Sequence, residues 1–389
     1  MQYLSTRMQS VQSPIIPMIG ALIRNHPGTI SLGQGVVFYT PPTQSFAQIS
    51  QFLSDEKNHK YQPVDGIKPL LQIIAQKLAD DNHIMINAKH RIFVTAGSNM
   101  GFINAIFAIT SPGDEIILQT PFYFNHEMAI ALASCTPIKV NTDDNYQLQI
   151  KAIKAAITPK TKAIVTISPN NPTGVIYPES ALREINQICQ DHNIYHITDE
   201  AYEYFTYNNI KHFSPGSILG SENHTISLFS LSKTYGFASW RIGYMVIPDH
   251  LFQSIEKIQD TNLICPPVIS QYAALGALQI GKNYFGEKIK QIATVREIVL
   301  NELDKIHNFC IIPKAEGAFY FLLKIDTHIN SMELVERLIK EHGIAVIPGT
   351  TFGMENGCYL RVAYGALESA TVTTGINRLV TGLKSILGA

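Results

Sequence analysis

One segment of the chain governs the interpretation of the others: Ser230-Leu231-Ser232-Lys233-Thr234-Tyr235-Gly236-Phe237-Ala238-Ser239-Trp240-Arg241-Ile242-Gly243. It follows the apolar run 225–229, which is typical of a buried strand. Lys233 therefore lies just after a strand, among hydroxyl groups and eight residues before Arg241. Burial and a nearby positive charge both lower the pKa of a lysine, which leaves a free amine able to attack a carbonyl group. A surface lysine would be the ordinary interpretation, but these neighbours favour a lysine that forms a Schiff base.

The composition indicates a well-buried globular enzyme. The chain has 389 residues, of which 46% are hydrophobic and 16% charged, and this length suits two domains. A formal charge of -1, without a run of Lys and Arg, predicts a small-molecule substrate and no nucleic-acid partner. Five scattered cysteines predict neither disulfides nor a metal site. The lack of a signal peptide and of a long apolar run predicts a soluble, cytoplasmic protein without a membrane partner.

Helix-like and strand-like segments alternate from about residue 64 onward. Apolar residues at helical spacing predict helices over 66–80, over 96–109, from 125, and over 178–191. Short apolar runs predict strands at 91–95, 115–118, 163–167, 194–197, 225–229 and 242–247. Continuous apolar strands between amphipathic helices predict a mostly parallel sheet that is covered by helices on both faces.

The pattern changes after about residue 285. A long helix over 284–306 precedes a strand over 317–323, another helix and an extended segment over 344–349. This mixture is typical of a smaller α+β domain. We therefore predict a large α/β domain over 46–285, and a small domain formed by 286–389 together with the amino-terminal segment 1–45.

Four polar clusters follow predicted strands or open a predicted helix; they are 97–99, 168–174, 198–202 and 230–233. In an open parallel sheet, ligands bind beyond the carboxyl ends of the strands. The helix that starts near Ser98 would also offer free N–H groups to a phosphate. Each cluster has a structural alternative, because 168–174 fits a tight turn and Asp199 fits a helix cap. Four clusters on the same edge together favour a functional site.

From residues 32–35 to Arg361 the chain resembles the class I/II aminotransferases, which are pyridoxal-phosphate enzymes of fold type I. The segment around Lys233 is the most specific part of this resemblance. The resemblance implies an α/β fold with a mostly parallel seven-stranded sheet, helices on both faces and a smaller α+β domain. It also implies that the amino group of an L-amino acid passes to a 2-oxo acid by a ping-pong mechanism through aldimine and ketimine intermediates.

The same resemblance implies a role for each candidate residue. Lys233 would carry the cofactor and shuttle the proton, Asp199 would pair with the pyridine nitrogen, and Asn171 and Tyr202 would bind the ring hydroxyl. Arg361 would bind the substrate carboxylate. The remaining implied contacts are Ser230, Ser232, Arg241, Gly97, Ser98 and Asn99 at the phosphate, Tyr123 stacked on the ring, Gly35 and Asn171 near the substrate, and Tyr61 at the phosphate of a neighbouring subunit. A role for Tyr61 across subunits implies a homodimer with shared active sites.

The substrate and the exact reaction stay open at this point. Residues 36–39 read Val-Val-Phe-Tyr where many relatives carry Phe-Pro-Asp-Phe, and Asn99 stands where some dicarboxylate-specific relatives carry a lysine. Phe38, Tyr39 and Tyr123 would accept an apolar or aromatic side chain, although they also suit packing roles. Two alternatives use the same cofactor: a β-lyase of sulfur amino acids, and a pyridoxal-phosphate-binding regulator without turnover.

Overall fold

A seven-stranded sheet forms the centre of the computed structural model, which describes residue 5 and residues 7–388. The strands of the protein are β1 Ile30–Ser31, β2 His90–Thr95, β3 Glu115–Thr120, β4 Thr136–Asn141, β5 Thr161–Ile167, β6 Tyr195–Asp199, β7 Thr225–Ser230, β8 Gly243–Pro248, β9 Cys310–Ile311, β10 Tyr320–Ile325, β11 Ile344–Ala345, β12 Ile347–Pro348 and β13 Cys358–Ala363. The central sheet has the order β2-β8-β7-β6-β5-β3-β4. Its neighbouring pairs are parallel except the two that β8 makes. The predicted mostly parallel sheet is confirmed.

Helices surround this sheet. They are α1 Arg7–Ser10, α2 Ile15–Asn25, α3 Thr43–Leu53, α4 Lys68–Asn82, α5 Ser98–Ile109, α6 Phe124–Leu132, α7 Ile150–Ala155, α8 Glu179–Asp191, α9 Leu231–Thr234, α10 Phe252–Asn262, α11 Val268–Ile280, α12 Lys282–Leu303, α13 Ser331–His342 and α14 Ser369–Leu387. In the part of the chain that the structure describes, no helix has both the length and the apolar character needed to cross a membrane.

Both faces of the central sheet are buried under helices. Successive side chains of a strand point to opposite faces, and Ile116 and Ile117 of β3 accordingly belong to two different apolar clusters. The cluster around Ile116 includes Phe102 of α5, and the cluster around Ile117 includes Ile185 of α8. This double coverage explains why the strands have continuous apolar sequences rather than alternating ones.

A second, smaller sheet has the order β12-β13-β10-β9, and its neighbouring strands are antiparallel. The amino-terminal segment reaches this part of the molecule, because β1 pairs in parallel with β11. Ile19 and Leu32 also belong to the same apolar cluster as Leu338 of α13. The pairing of β1 with β11 places the amino-terminal segment beside residues 286–389, and the division of the chain into domains at 46 and 285 stays a prediction.

The differences from the predicted elements have local causes. Strand β4 was not predicted, because it lies at the sheet edge, contains Pro137 and is partly exposed, so it lacks a long apolar run. Strand β10 begins at Tyr320 rather than at residue 317, because Ala318 has a φ of 51° and interrupts the extended backbone. The helix predicted over 284–306 is α12, and it ends in a short turn of 3₁₀ helix that reaches Ile306.

Candidate active site

A cavity of about 410 Å³ lies beyond the carboxyl ends of β5, β6 and β7. It brings together twelve of the fourteen residues predicted for the site: Gly35, Ser98, Asn99, Tyr123, Asn171, Asp199, Tyr202, Ser230, Ser232, Lys233, Arg241 and Arg361. These residues come from distant parts of the sequence, and the common direction of β2, β5, β6 and β7 carries those that follow these four strands to one edge. Gly97 and Tyr61 do not belong to the lining.

Lys233 lies in α9, one turn beyond the end of β7. The hydroxyl of Ser230 caps this short helix by accepting the backbone N–H of Ser232 at 3.1 Å. The Lys233 amine donates a hydrogen bond to the backbone carbonyl of Gly35 at 2.5 Å. Burial, followed by the positive charges of Arg361 and Arg241, lowers the pKa of Lys233 to about 8, although Asp199 acts in the opposite direction. An appreciable fraction of this amine is therefore unprotonated near neutral pH.

Asp199 forms the last residue of β6, and its carboxylate is buried at 4% exposure. One oxygen, Oδ2, lies 3.2 Å from Nε2 of His126, and the other accepts the backbone N–H of Ala201 at 3.1 Å. A buried carboxylate is costly unless hydrogen-bond donors or cations satisfy it. These two contacts provide that support while the carboxylate still faces the cavity.

His126 contacts the candidate site through Asp199, and no sequence motif indicated it. It lies in α6, is buried at 1% exposure, and its ring stacks on Phe102 with the centroids 3.8 Å apart. Its Nδ1 has no hydrogen-bond partner among the described residues. The spacing offered a signal, because His126 follows the predicted Tyr123 by three residues at a helix start, where such residues share a face.

Arg361 lies on β13 and is buried at 3% exposure. Its two terminal nitrogens donate to Oδ1 of Asn171 at 2.9 Å and to the backbone carbonyl of Gly33 at 2.8 Å. Its Nε has no partner within the described part of the chain. The guanidinium also faces the ring of Phe352 at 4.8 Å. A guanidinium that is fixed in place and keeps an unsatisfied donor suits a carboxylate ligand.

The start of α5 forms a cradle for an anion. Gly97 has a φ of 79°, which disfavours other residues, and a Cβ atom there would collide with the guanidinium of Arg241. Arg241 also has a left-handed backbone, with a φ of 55°, and its guanidinium donates to the carbonyls of Ala238 and Ala96 at 2.8 and 3.3 Å. Together with Ser230, this close approach of a helix start to an arginine is the arrangement that binds phosphate groups.

The cavity lining carries more positively charged than negatively charged side chains. Three cationic side chains, those of Lys233, Arg241 and Arg361, face only one carboxylate, that of Asp199. Buried charges need partners, so this surplus of positive charge suits a ligand that carries anionic groups. A phosphate near Arg241 and a carboxylate near Arg361 would supply two such groups.

The amino-terminal part of the chain supplies an apolar wall that was not predicted. We call this the α2 wall, and it consists of Ile16, Ile19, Gly20 and Ile23, with Val36, Phe124 and Ile347 beside it. Phe38 and Tyr39, which were expected to accept an apolar or aromatic substrate side chain, do not belong to the lining. Instead, the hydroxyl of Tyr39 donates to the backbone carbonyl of Lys233 at 3.0 Å and holds the lysine segment in place.

Tyr61 was predicted to bind the cofactor phosphate of a neighbouring subunit, and it lies outside the cavity of its own chain. Its side chain is 80% exposed and lies beside Phe52 and Pro266, in a different surface depression. A tyrosine that acts on a neighbouring subunit would be exposed in a single chain, so the expected role across subunits stays a prediction.

The sequence matches the family described as aminotransferase class I and II over residues 27–379, and the chain belongs to that family. Aminotransferases of this family depend on pyridoxal phosphate, and the expectation that this chain is an aminotransferase is confirmed by the family match and by its relatives. The expected fold type is confirmed by solved aminotransferase structures.

Two curated relatives are an aromatic aminotransferase of Arabidopsis thaliana and an aspartate aminotransferase of Pyrococcus abyssi. Both are 31% identical to this chain. The alignment with the first spans 99% of this chain and 97% of the relative, and the alignment with the second spans 93% of each. A solved structure of Thermus thermophilus aspartate aminotransferase with maleate superposes with a TM-score of 0.90 at 27% identity, covering 98% of this chain and all of that one. This chain is therefore similar to enzymes with either aromatic or dicarboxylic substrates.

The low pKa of Lys233 predicts how its reactivity depends on pH. The free amine of the protein without cofactor should react with pyridoxal phosphate with a midpoint near pH 8, since only the unprotonated form attacks a carbonyl. Arg361→Gln should move this midpoint to higher pH, because it removes a cation that disfavours the protonated lysine. Stopped-flow absorbance across a pH series measures both.

Arg337→Gln is the matched control, because it removes an arginine from the exposed surface of α13, where Arg337 pairs with Glu341 at 2.8 Å. Its midpoint should equal that of the unmodified protein. A midpoint near the ordinary lysine value of 10.5 in the unmodified protein would contradict the assignment.

Proposed function

We propose that this chain holds pyridoxal phosphate in the cavity at the sheet edge and uses it to transfer the amino group of an L-amino acid with a large uncharged side chain to a 2-oxo acid. The observation that carries this proposal is the Lys233 amine, whose pKa is lowered and which shares its cavity with two further cationic side chains, Arg241 and Arg361, and one carboxylate, Asp199. When bound, pyridoxal phosphate supplies an aldehyde for amines and an electron-accepting ring.

The residues of the cavity fit each part of this cofactor. The cradle of Ser98, Asn99, Ser230, Ser232 and Arg241 would hold the phosphate, with the backbone of Gly97 close to it. Asp199, whose carboxylate contacts Nε2 of His126, would pair with the ring nitrogen and keep that nitrogen protonated. Asn171 and Tyr202, whose side chains are in contact at 3.4 Å, would bind the ring hydroxyl. Tyr123 would cover one face of the ring.

The same cavity orients the substrate and moves its proton. Arg361 would bind the α-carboxylate through Nε and a terminal nitrogen, and this holds the Cα–H bond in one orientation. The backbone at Gly35 would lie close to the same carboxylate. Lys233, with its lowered pKa, would remove the proton from Cα as a free base and return a proton later in the reaction.

The α2 wall supports a preference for uncharged substrate side chains. It presents aliphatic groups to the cavity, and the charged side chains in the lining already have functions with the cofactor or the α-carboxylate. A second substrate carboxylate in this region would lose its hydration without gaining a cation, which is unfavourable. Relatives named aromatic aminotransferase and aspartate aminotransferase match this chain at the same identity of 31%, so the proposed preference rests on the cavity lining alone.

A homodimer with shared active sites forms part of the proposal. Tyr61 is exposed, and so are the large apolar side chains Phe46, Leu53 and Ile269. These residues lie on or near α3 and α11, which pack against each other. An apolar surface of this kind suits contact with a second copy, in which Tyr61 would reach the phosphate of the neighbouring site.

The half-reaction with an amino acid alone tests the proposed function. Addition of L-phenylalanine to the protein loaded with pyridoxal phosphate should shift the visible absorbance band, and addition of a 2-oxo acid should restore it. Lys233→Ala should lower turnover by about a thousandfold or more, because it removes both the nucleophile and the proton carrier. Lys314→Ala, at a lysine whose side chain is 83% exposed, is the control and should leave both steps unchanged.

The two alternatives give different results in this experiment. Release of pyruvate and ammonia from a cysteine conjugate, without restoration by a 2-oxo acid, would indicate a β-lyase. Absence of any spectral response to amino acids would indicate a regulator.

A positive charge in the α2 wall should change the substrate preference. Ile16 lines the cavity and is 38% exposed, so a lysine there can keep its charge. Ile16→Lys should raise the ratio of kcat/KM for aspartate to kcat/KM for phenylalanine by about tenfold, which corresponds to about 1.4 kcal/mol. Met18→Lys is the matched control, since Met18 lies in the same helix, is 49% exposed and does not line the cavity. Equal ratios in the two variants would contradict the proposed role of the wall.

A further inference from the structure

The hydroxyl of Tyr320 occupies a central position in the site that no sequence motif indicated. Tyr320 is the first residue of β10, is fully buried, and lines the cavity. Its hydroxyl lies 2.8 Å from the hydroxyl of Tyr202. Its ring packs against the guanidinium of Arg361 at 4.6 Å. A Cβ atom added at Gly35 would lie 2.5 Å from the same hydroxyl oxygen, so the phenol also packs closely against that segment.

The hydrogen-bonding capacity of Tyr202 decides the direction of the bond between the two phenols. A phenol donates one hydrogen bond and accepts up to two. The oxygen of Tyr202 already accepts the side-chain N–H of Asn171 at 3.4 Å. If Tyr202 uses its single O–H group to donate a hydrogen bond to a ligand, Tyr320 has to be the donor in the hydrogen bond between the two phenols. The chain of donors then runs from Tyr320 to Tyr202 and on to the ligand, and such chains polarise and strengthen each bond.

The surrounding charges favour this direction. The titratable or charged groups around the two phenols are Arg361, Tyr123, Asp199 and Lys233, which line the same cavity. Burial raises the pKa of both phenols, and the Arg361 cation acts in the opposite direction on both. Arg361 lies over the ring of Tyr320 at 4.6 Å, and a cation held this close makes the phenol O–H a stronger hydrogen-bond donor.

We propose that Tyr320 is a positioning residue that donates a hydrogen bond to Tyr202 and thereby strengthens Tyr202 as the donor to the phenolic oxygen of the bound cofactor. This inference rests on the proposed function. The expected consequence is electrostatic: with the cofactor bound, a weaker donor at that oxygen would leave more negative charge on it, and this charge would favour protonation of the nearby Lys233 nitrogen. The substrate carboxylate is still bound by Arg361, because Tyr320→Phe keeps the ring against its guanidinium.

The pH midpoint of the visible absorbance of the loaded protein tests this role without relying on turnover. Tyr320→Phe should raise the midpoint by about 0.3 to 0.7 pH unit, and Tyr202→Phe by more. The double variant should match Tyr202→Phe alone, because Tyr320 acts only through Tyr202. In steady-state kinetics, Tyr320→Phe should lower kcat about three- to tenfold and leave KM for the amino acid nearly unchanged.

Tyr146→Phe is the matched control for loss of a buried phenol beside β10. The Tyr146 hydroxyl is buried and donates to the backbone carbonyl of Leu322, on the same strand, at 3.3 Å. This variant should have the same pH midpoint and the same kcat as the unmodified protein. The inference is overturned if Tyr320→Phe leaves the midpoint unchanged, or if the shifts of the two single variants add in the double variant. A loaded, unmodified protein without a pH-dependent visible band would overturn the proposed function itself, and the inference with it.

Discussion

Two hydrogen bonds to the backbone of the amino-terminal segment hold the cationic groups of the site together. The carbonyl of Gly35 accepts the Lys233 amine from the edge of the central sheet, and the carbonyl of Gly33 accepts the guanidinium of Arg361 from the second sheet. Backbone carbonyls stabilise both cations without neutralising them. The cavity therefore keeps its surplus of positive charge, and burial keeps that charge from being screened by water. Burial and the neighbouring cations of Arg361 and Arg241 lower the pKa of Lys233, and the surplus of positive charge favours anionic ligands.

The topology of the chain makes this arrangement possible. Strand β1 pairs with β11, which fixes the segment that contains Gly33 and Gly35 against the second sheet. The parallel direction of β5, β6 and β7 brings Asn171, Asp199 and Lys233 to one edge of the first sheet. The site lies where these two parts of the molecule meet, as is common for ligand sites in multidomain enzymes. The amino-terminal helix α2 then closes the apolar side of the cavity.

The sequence was sufficient to predict residues whose function follows from local motifs. Lys233, Asp199 and the segment that contains Asn171 each come directly after an apolar strand, so their location at the sheet edge could be predicted. The same was true of Ser98, because a helix begins there. The central sheet was also predictable, since buried parallel strands have continuous apolar sequences.

Residues whose function depends on contacts between distant segments were not predictable in this way. The hydroxyls of Tyr320 and Tyr202 are in contact although the two residues are 118 positions apart in the sequence. The position of Tyr320 at the start of β10 depends on the left-handed backbone of Ala318, which interrupts the strand. The contribution of α2 to the cavity also depends on tertiary packing, because its apolar residues are equally consistent with an ordinary amphipathic helix. Strand β4 was missed because an edge strand needs less apolar surface.

The most direct test of whether Lys233 carries the cofactor is to locate the site of covalent attachment. Borohydride reduction of the protein loaded with pyridoxal phosphate fixes the cofactor to the lysine that carries it, and peptide mass spectrometry then locates the modified residue. We expect a single modified peptide, with the pyridoxyl group on Lys233. A stoichiometric modification of a different lysine, or the absence of any modification after loading, would contradict it.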